Sequence, residues 1–139
     1  MIPLLKKSPT PPTAPRPLEI LVADDVDEIV ELISRWLQTE GHAVTRASGG
    51  KQVIECVRDR SFDLLVTDIV MPEGDGWDAI LAVGRLRPDM RILAISGGGK
   101  QMPVEACLRV ARGVGADRVL KKPFNQAEFL AVVNQLAAR

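Results

Sequence analysis

The sequence has few of the residues on which several kinds of site depend. Its 139 residues include no tyrosine, one histidine and two cysteines, and only 4% of them are aromatic. Cys56 and Cys107 both fall within predicted helices, which indicates free thiols and a reducing compartment rather than a disulfide. His42 follows Gly41 at the start of a predicted strand, and we interpret it as a solvated side chain rather than a phosphodonor or a metal ligand.

Net charge and long apolar runs are also lacking. The 18 basic residues balance the 18 acidic ones, so nothing draws the chain broadly to nucleic acid or to an anionic membrane. No apolar run is long enough to span a bilayer, and the N-terminus lacks the apolar core of a signal peptide. We therefore expect a cytoplasmic protein, and the length suits one domain.

Proline is abundant in one place only. Half of the ten prolines lie between positions 8 and 17. Proline has no backbone N–H and a fixed φ, so this stretch cannot form a helix or a central strand. We predict that residues 1–17 form an extended arm or linker and that residues 18–139 form the domain.

Within the predicted domain, apolar runs typical of buried strands alternate with amphipathic helices. The predicted strands cover residues 18–25, 42–47, 62–68, 91–96 and 118–121. Five strands interleaved with five helices predict an α/β fold with a doubly wound, five-stranded parallel sheet. In a sheet of strand order 2-1-3-4-5, ligands bind at the carboxyl ends of the first and third strands, where the strand order reverses.

Three of the helices make specific predictions. The apolar stripe of the first helix consists of Val26, Ile29, Val30, Ile33 and Leu37. The third helix carries Trp77, Ile80 and Leu81, with Leu86 as a further candidate. The last helix begins with Asn125 and has Glu128 three residues later, the pattern of a capping box.

Acidic residues end two of the predicted strands. Asp24 and Asp25 follow the first strand, and Asp68 ends the third. Neighbouring strands lie about 4.8 Å apart, so these carboxylates would repel one another in a partly dry crevice. A bound divalent cation would keep all three ionised, and oxygen ligands favour Mg²⁺. A site with a cation and one spare carboxylate, Asp68, suits acceptance of a phosphoryl group.

Two further polar residues lie at the same predicted edge of the sheet. Ser96 ends the fourth strand, and Lys122 follows the fifth. A hydroxyl and an ammonium at that edge would bind the oxygens of a phosphoryl group on Asp68. The metal would neutralise the site and organise the group being transferred.

From residue 18 to residue 139, the chain resembles a bacterial two-component response-regulator receiver domain. The match depends on several motifs that occur in order at the ends of predicted strands: Asp24-Asp25, Asp68 with Met71-Pro72 and Asp75-Gly76, Ser96-Gly97, Gly115-Ala116-Asp117 and Lys122-Pro123-Phe124. The resemblance implies a flavodoxin-like (βα)5 fold. It also implies that Asp68 takes its phosphoryl group from a histidine kinase or a small phosphodonor.

The resemblance assigns the metal ligands as well. Asp25 would bind Mg²⁺ (or Mn²⁺) directly and Asp24 largely through water, while Val70 would contribute its backbone carbonyl and Asp68 a carboxylate oxygen. Ser96 would supply the hydroxyl that moves toward the phosphoryl group. Lys122 would be the ion-pairing lysine, and its bond to Pro123 would be cis.

Three positions depart from the family pattern. Val119 stands where most receivers have an aromatic residue, so the usual coupled movement of hydroxyl and aromatic side chain cannot be assumed. Val70 and Gly98 offer no polar side chain to position a water, so we expect self-dephosphorylation to depend little on them. The segment 97–103 is longer than usual and is a candidate partner-binding element.

The functional interpretation is a single-domain response regulator without an output domain, and not an enzyme beyond its own phosphotransfer and dephosphorylation. Phosphorylation would switch a protein-interaction surface near the fourth helix and fifth strand toward a downstream protein target. Homodimerisation through that surface stays open. The alternatives are a phosphorelay intermediate that passes phosphate to a histidine phosphotransfer protein and a binding module that is never phosphorylated. A metal-dependent phosphatase would need a general acid where Val70 stands.

Overall fold

The computed structural model describes residues 16–69, 71, 76–97 and 103–138. Most of the predicted arm, together with Val70 and Gly98, lies outside the described residues. Strands and helices alternate along the chain in this order: β1 (Glu19–Ala23), α1 (Asp27–Thr39), β2 (Ala43–Ala47), α2 (Gly50–Asp59), β3 (Leu64–Asp68), α3 (Gly76–Leu86), β4 (Arg91–Ser96), α4 (Val104–Val114), β5 (Arg118–Lys121) and α5 (Gln126–Ala137).

The five strands form one parallel sheet in the order β2-β1-β3-β4-β5, as the sequence predicted. Ile20 of β1 is paired with Leu64 of β3, and Ala23 is paired with Thr67. The strand order reverses between β1 and β3, so the residues that follow these two strands meet in the crevice above the sheet.

Apolar residues cover both faces of the sheet. Leu21 and Leu65 point to the face that packs against α2, α3 and α4. Ile20, Val22 and Val66 point to the other face, which packs against α1 and α5. Alternation along a strand sends successive side chains to opposite faces, so central strands buried on both faces appear in the sequence as continuous apolar runs.

The ends of two helices are stabilised by local backbone chemistry. Asn125 accepts a hydrogen bond from the backbone N–H of Glu128 at 2.8 Å, and the Glu128 side chain accepts one from the Asn125 N–H at 2.9 Å. The predicted capping box at the start of α5 is therefore confirmed. Gly41 follows α1 with a φ of 91°, a conformation that glycine adopts without strain.

His42 corrects one prediction. The side chain is buried rather than solvated, and its Nδ1 accepts a hydrogen bond from the backbone N–H of Leu18 at 3.0 Å. Burial lowers the pKa of His42, although the charges of Glu40 and Asp63 act in the opposite direction. The imidazole ties the segment before β1 to the start of β2, and its role is structural.

The apolar stripes of two helices were predicted only in part. Val26 precedes α1, and Leu81 and Leu86 lie on α3; these side chains are 42%, 40% and 41% exposed. The buried face of α3 consists of Gly76, Ala79, Ile80 and Val83. Of the predicted stripe, Ile80 is therefore confirmed as buried, and Trp77 is partly buried against the same core. Small residues on this face allow close packing against the sheet. A search of the sequence for large apolar side chains does not detect such a face.

Neither cysteine forms a disulfide: Cys107 is buried and Cys56 is half-buried on α2. Burial raises the pKa of the Cys56 thiol, although the nearby Arg60 acts in the opposite direction. Among the described residues, no helix is both long and apolar enough to cross a membrane.

Candidate functional site

Three carboxylates meet at the carboxyl edge of the sheet. Asp24 follows β1 and Asp68 ends β3, and Asp25 comes next to Asp24 in the chain. One oxygen from each lies within 4.8 Å of the others. Asp24 is fully buried, Asp68 is nearly so, and Asp25 is exposed to solvent. The pairing of β1 with β3 produces this convergence, because Asp24 and Asp68 lie one position beyond the paired residues Ala23 and Thr67, and Asp25 follows Asp24.

Lys122 bridges two of these acids. Its Nζ lies 3.1 Å from Asp24 Oδ2 and 3.4 Å from Asp68 Oδ2. The lysine side chain is 24% exposed, so solvent screens these contacts only weakly. Burial lowers the pKa of Lys122, but the charges of Asp68 and Asp24 outweigh that effect and raise the pKa overall. The lysine therefore stays protonated beside the two acids.

The backbone around Lys122 holds the side chain in the site. The Lys122 N–H donates to the carbonyl of Ser96 at 3.0 Å, which joins the end of β5 to the end of β4. The bond from Lys122 to Pro123 is cis, as the family resemblance implied. Ser96 is buried and lies one residue beyond Ile95, which is paired with Asp68. The structure thus brings Ser96 to the edge that carries the acids.

Asp24 is held in place through both carboxylate oxygens. Oδ1 accepts a hydrogen bond from the backbone N–H of Val26 at 3.0 Å, a local turn typical of aspartate. Oδ2 contacts Lys122. These contacts fix the direction of a buried charge that would otherwise be costly.

Gly76 entered the sequence analysis only as part of a family motif, and its structural role was not predicted. Its N–H donates to the carbonyl of Ile69 at 2.7 Å. A Cβ placed on Gly76 would lie 2.2 Å from the carbonyl oxygen of Asp68 and 2.7 Å from the Cα of Ile69. Only glycine allows α3 to begin against the backbone that carries Asp68. The signal in the sequence was the glycine itself, at the start of a helix where glycine is otherwise unfavourable.

The donor set fits a hard divalent cation. Three carboxylates face one ammonium, so the described side chains of the site carry an excess of negative charge. Oxygen ligands with waters are the coordination that Mg²⁺ prefers, and Mn²⁺ accepts the same ligands. Val70, whose backbone carbonyl was expected to join them, lies outside the described residues. His42 lies at the opposite edge of the sheet, beside the amino end of β1.

Comparison with known proteins agrees with this geometry. The profile of the family described as "Response regulator receiver domain" matches residues 20–134. "Response regulator SaeR" of Staphylococcus aureus (strain USA300) is 29% identical over 120 residues, which make up 86% of this chain and 50% of that protein. The chain therefore spans about half the length of the curated relatives it matches.

Solved structures are similar over most of the chain. A putative response regulator from Chloroflexus aurantiacus is 25% identical with a TM-score of 0.79, covering 89% of this chain and 100% of that one. A response regulator from Burkholderia pseudomallei, solved with a phosphorylated aspartic acid, a calcium ion and citrate, is 28% identical with a TM-score of 0.73, covering 86% of this chain and 68% of that one. With the matched profile and the acidic crevice, these findings establish that the chain belongs to the receiver domains of two-component response regulators.

Proposed function

We propose that Asp68 is the phosphoacceptor of this receiver and that Asp24, Asp25, Ser96 and Lys122 serve its phosphorylation. The observation that carries the proposal is the bridge from Lys122 to Asp24 and Asp68 at 3.1 and 3.4 Å. A cation held in contact with a buried carboxylate balances charge before the reaction. The same cation is positioned to bind phosphoryl oxygens afterwards.

Phosphorylation would begin with attack by a carboxylate oxygen of Asp68 on the phosphorus of the donor. A new oxygen–phosphorus bond forms, the bond from phosphorus to the donor's nitrogen or oxygen breaks, and its electron pair leaves with the donor. Asp24, Asp25 and Asp68 would hold Mg²⁺, with the Val70 carbonyl as a further ligand. When bound, the ion neutralises negative charge on the group in transfer. The Ser96 hydroxyl would donate a hydrogen bond to one phosphoryl oxygen.

Family membership brings phosphorylation-based signalling, an acidic pocket for Mg²⁺ and interaction with a histidine kinase. The finer proposal is that phosphorylation changes the surface formed by α4 and β5, where a downstream protein would bind. Support comes from the Lys122–Ser96 backbone contact, which links the site to the end of β5. Residues of β5 are half-buried or exposed, and Lys121 pairs with Glu105 of α4 at 3.3 Å.

The domain assignment also stays a proposal: residues 18–139 form the receiver unit and residues 1–17 an arm. We also propose that self-dephosphorylation depends little on the Val70 side chain. In that case Val70→Asn should change the lifetime of the phosphorylated protein, as followed by loss of the labelled phosphoryl group. An unchanged lifetime would contradict the idea.

A panel of histidine kinases, each pre-loaded with labelled phosphate, tests the central proposal. Label should pass to the wild-type chain and not to Asp68→Ala. The matched control is Asp59→Ala, which removes an exposed acid at the end of α2 and should accept label normally. Onward transfer to a histidine phosphotransfer protein would identify a relay role. Transfer of label to Asp68→Ala would contradict the assignment of Asp68 as the phosphoacceptor.

Beryllofluoride, which mimics an acyl phosphate, gives a test that needs no cognate kinase. The wild type should show spectral changes that require both beryllofluoride and Mg²⁺, and Asp68→Ala should show none. A wild type without any Mg²⁺-dependent response would favour a binding module that is never phosphorylated.

A further inference from the structure

A cavity lies at the amino edge of the sheet, at the opposite end of the strands from Asp24, Asp25 and Asp68. Its volume is about 390 Å³, within the range of small-molecule sites. It lies between the starts of β3 and β4 and the ends of α3 and α5, where Leu64, Met90, Leu86 and Leu136 line it. Leu64 and Asp68 are the two ends of β3, so about 13 Å of strand separates this cavity from the phosphorylation site.

The wall of the cavity is apolar and its rim is basic. Leu64, Met90 and Leu136 are buried, and Leu86 adds an exposed apolar side chain. Three arginines (Arg16, Arg87 and Arg91) and two aspartates (Asp63 and Asp89) also line the cavity. The charged lining residues therefore carry one net positive charge.

The three arginines differ in what they contact. Arg16 pairs with Asp63 at 3.2 Å. Arg87 donates to the carbonyl of Val57 at 2.8 Å, where it caps the end of α2. Arg91 is half-buried at the start of β4, and its guanidinium makes no hydrogen bond or ion pair within the described part of the chain. A guanidinium beside an apolar wall provides two parallel N–H donors for a planar anion, and Arg91 lines the cavity.

We propose that this cavity binds a small organic anion with an apolar body, such as an aromatic or aliphatic carboxylate. Its carboxylate would accept hydrogen bonds from Arg91, and its apolar part would contact Leu64, Met90 and Leu136. Neither phosphate nor a bare metal ion would use the apolar wall, and a neutral apolar molecule would leave the guanidinium without a partner. The site is separate from Asp68, so the proposal stands or falls independently of phosphorylation.

The test uses 1-naphthoate as the probe and 1-naphthamide as its neutral isostere, with the full chain in both cases. In amide NMR spectra, naphthoate should shift the signals of Leu64, Met90 and Leu136 and leave those of Asp24 and Asp68 unchanged. Calorimetry should show that Arg91→Gln weakens naphthoate binding at least about tenfold, because a charge-assisted bond is lost. The naphthamide should bind the wild type as weakly as naphthoate binds the variant.

Arg85→Gln is the matched control, because Arg85 is an exposed arginine of α3 that does not line the cavity. Naphthoate should bind this variant with wild-type affinity. The proposal is overturned if naphthoate at millimolar concentration shifts no signal around the cavity. It is also overturned if the naphthamide binds equally well or if Arg91→Gln retains full affinity.

Discussion

Lys122 connects the electrostatics of the site to the stability of the protein. Three acids converge at the site, and Lys122 contacts the two that are buried, Asp24 and Asp68. The lysine compensates charges that the fold has removed from water, so its removal leaves Asp24 and Asp68 facing each other without a cation. Keeping these acids together in a buried site for function therefore lowers the stability of the protein.

Lys122→Met should lower the free energy of unfolding in EDTA by about 2 kcal/mol. This is less than the removal of one partner from a fully buried pair costs, because Lys122 is 24% exposed. Added Mg²⁺ should recover part of the loss, as measured by urea denaturation. Lys121→Met is the control: Lys121 pairs with an exposed glutamate, and its loss should cost about 0–1 kcal/mol. Equal losses for both variants would contradict the proposed charge balance.

His42 gives the protein a pH-dependent contribution to stability. Its pKa in the folded state is lowered by burial from the ordinary 6.5. As the pH falls through 6.5, the unfolded chain takes up a proton that the native protein does not, so the free energy of unfolding decreases. The decrease stops below the native pKa, where both states are protonated.

His42→Asn should remove that decrease. The Asn side-chain oxygen can occupy the place of Nδ1 and accept the hydrogen bond from the Leu18 N–H without titrating. Denaturation at a series of pH values should give a wild-type-minus-variant difference that falls below about pH 6.5. His42→Ala, which leaves the buried N–H unpaired, should lose about 1–3 kcal/mol relative to the wild type above about pH 6.5, and this loss should shrink at lower pH because the variant also lacks the titrating group. A flat difference between the wild type and His42→Asn would refute this account.

At the scale of the element, α3 owes its position to its first residue. A Cβ on Gly76 would lie 2.2 Å from the carbonyl oxygen of Asp68, so only glycine lets the helix begin this close to that backbone. Packing of α3 through Gly76, Ala79 and Val83 extends this close contact along the sheet. The helix therefore fixes the backbone that carries the proposed phosphoacceptor.

Two glycine substitutions in α3 should have opposite effects. Gly76→Ala should destabilise the protein by about 1–3 kcal/mol through overpacking, and it should slow phosphorylation of Asp68 by displacing the backbone of that residue. Gly84→Ala is the matched control: nothing lies within 4 Å of its would-be Cβ, and it should stabilise the helix by about 0.5–1 kcal/mol. Denaturation and the rate of labelling by a small phosphodonor measure the two effects. Unchanged stability and labelling in Gly76→Ala would refute the argument.

The sequence predicted strands better than helix faces. The predicted bounds of β4 and β5 are confirmed. In β4 the signal was a continuous apolar run, which marks a strand buried on both faces. The face of α3 was misjudged because Gly76 and Ala79 form it while Leu81 is exposed. Burial of His42 depends on the contact between β2 and the segment before β1, which no local pattern reveals.

In the candidate site, features that follow from strand order were predictable, and features that depend on tertiary packing were not. Convergence of Asp24 and Asp68 was predictable, because parallel neighbouring strands end at the same edge. The bridge from Lys122 to Asp24 was not, because it depends on how far a flexible side chain reaches across the sheet. The close approach at Gly76 likewise depends on a helix position that the sequence does not encode locally.

At the scale of the whole molecule, acids at the two ends of the sheet have different tasks. At the amino edge, Asp63 accepts a hydrogen bond from the Glu19 N–H at 2.8 Å, and Asp117 accepts one from the Ile92 N–H at 2.8 Å. These carboxylates serve as hydrogen-bond acceptors for backbone N–H groups near the starts of β1 and β4. At the carboxyl edge, the acids face one another and one lysine. Charge is therefore distributed unevenly between the two edges of the sheet, with an excess of negative charge at the carboxyl edge.

Mg²⁺ should consequently stabilise the whole fold. At about 100 times its dissociation constant, a ligand that binds only the native state adds about 2.7 kcal/mol. Asp25→Asn should reduce this gain while leaving the protein in EDTA at least as stable as the wild type, because one repelling charge is gone. Asp59→Asn should retain the full gain. Thermal denaturation with and without Mg²⁺ measures all three proteins, and an undiminished gain in Asp25→Asn would argue against metal binding by Asp25.

The contacts of Lys122 also determine when in the life of the chain the site first exists. The lysine and its two acids are separated by 98 and 54 positions along the chain. A nascent polypeptide that has emerged from the ribosome only as far as β4 already displays its acids, but it lacks the cation that balances them. Under the proposed role of Lys122, competence to receive a phosphoryl group would therefore arise only after β5 has been made, and a copy that still lacks β5 would not compete with complete receiver domains for a kinase.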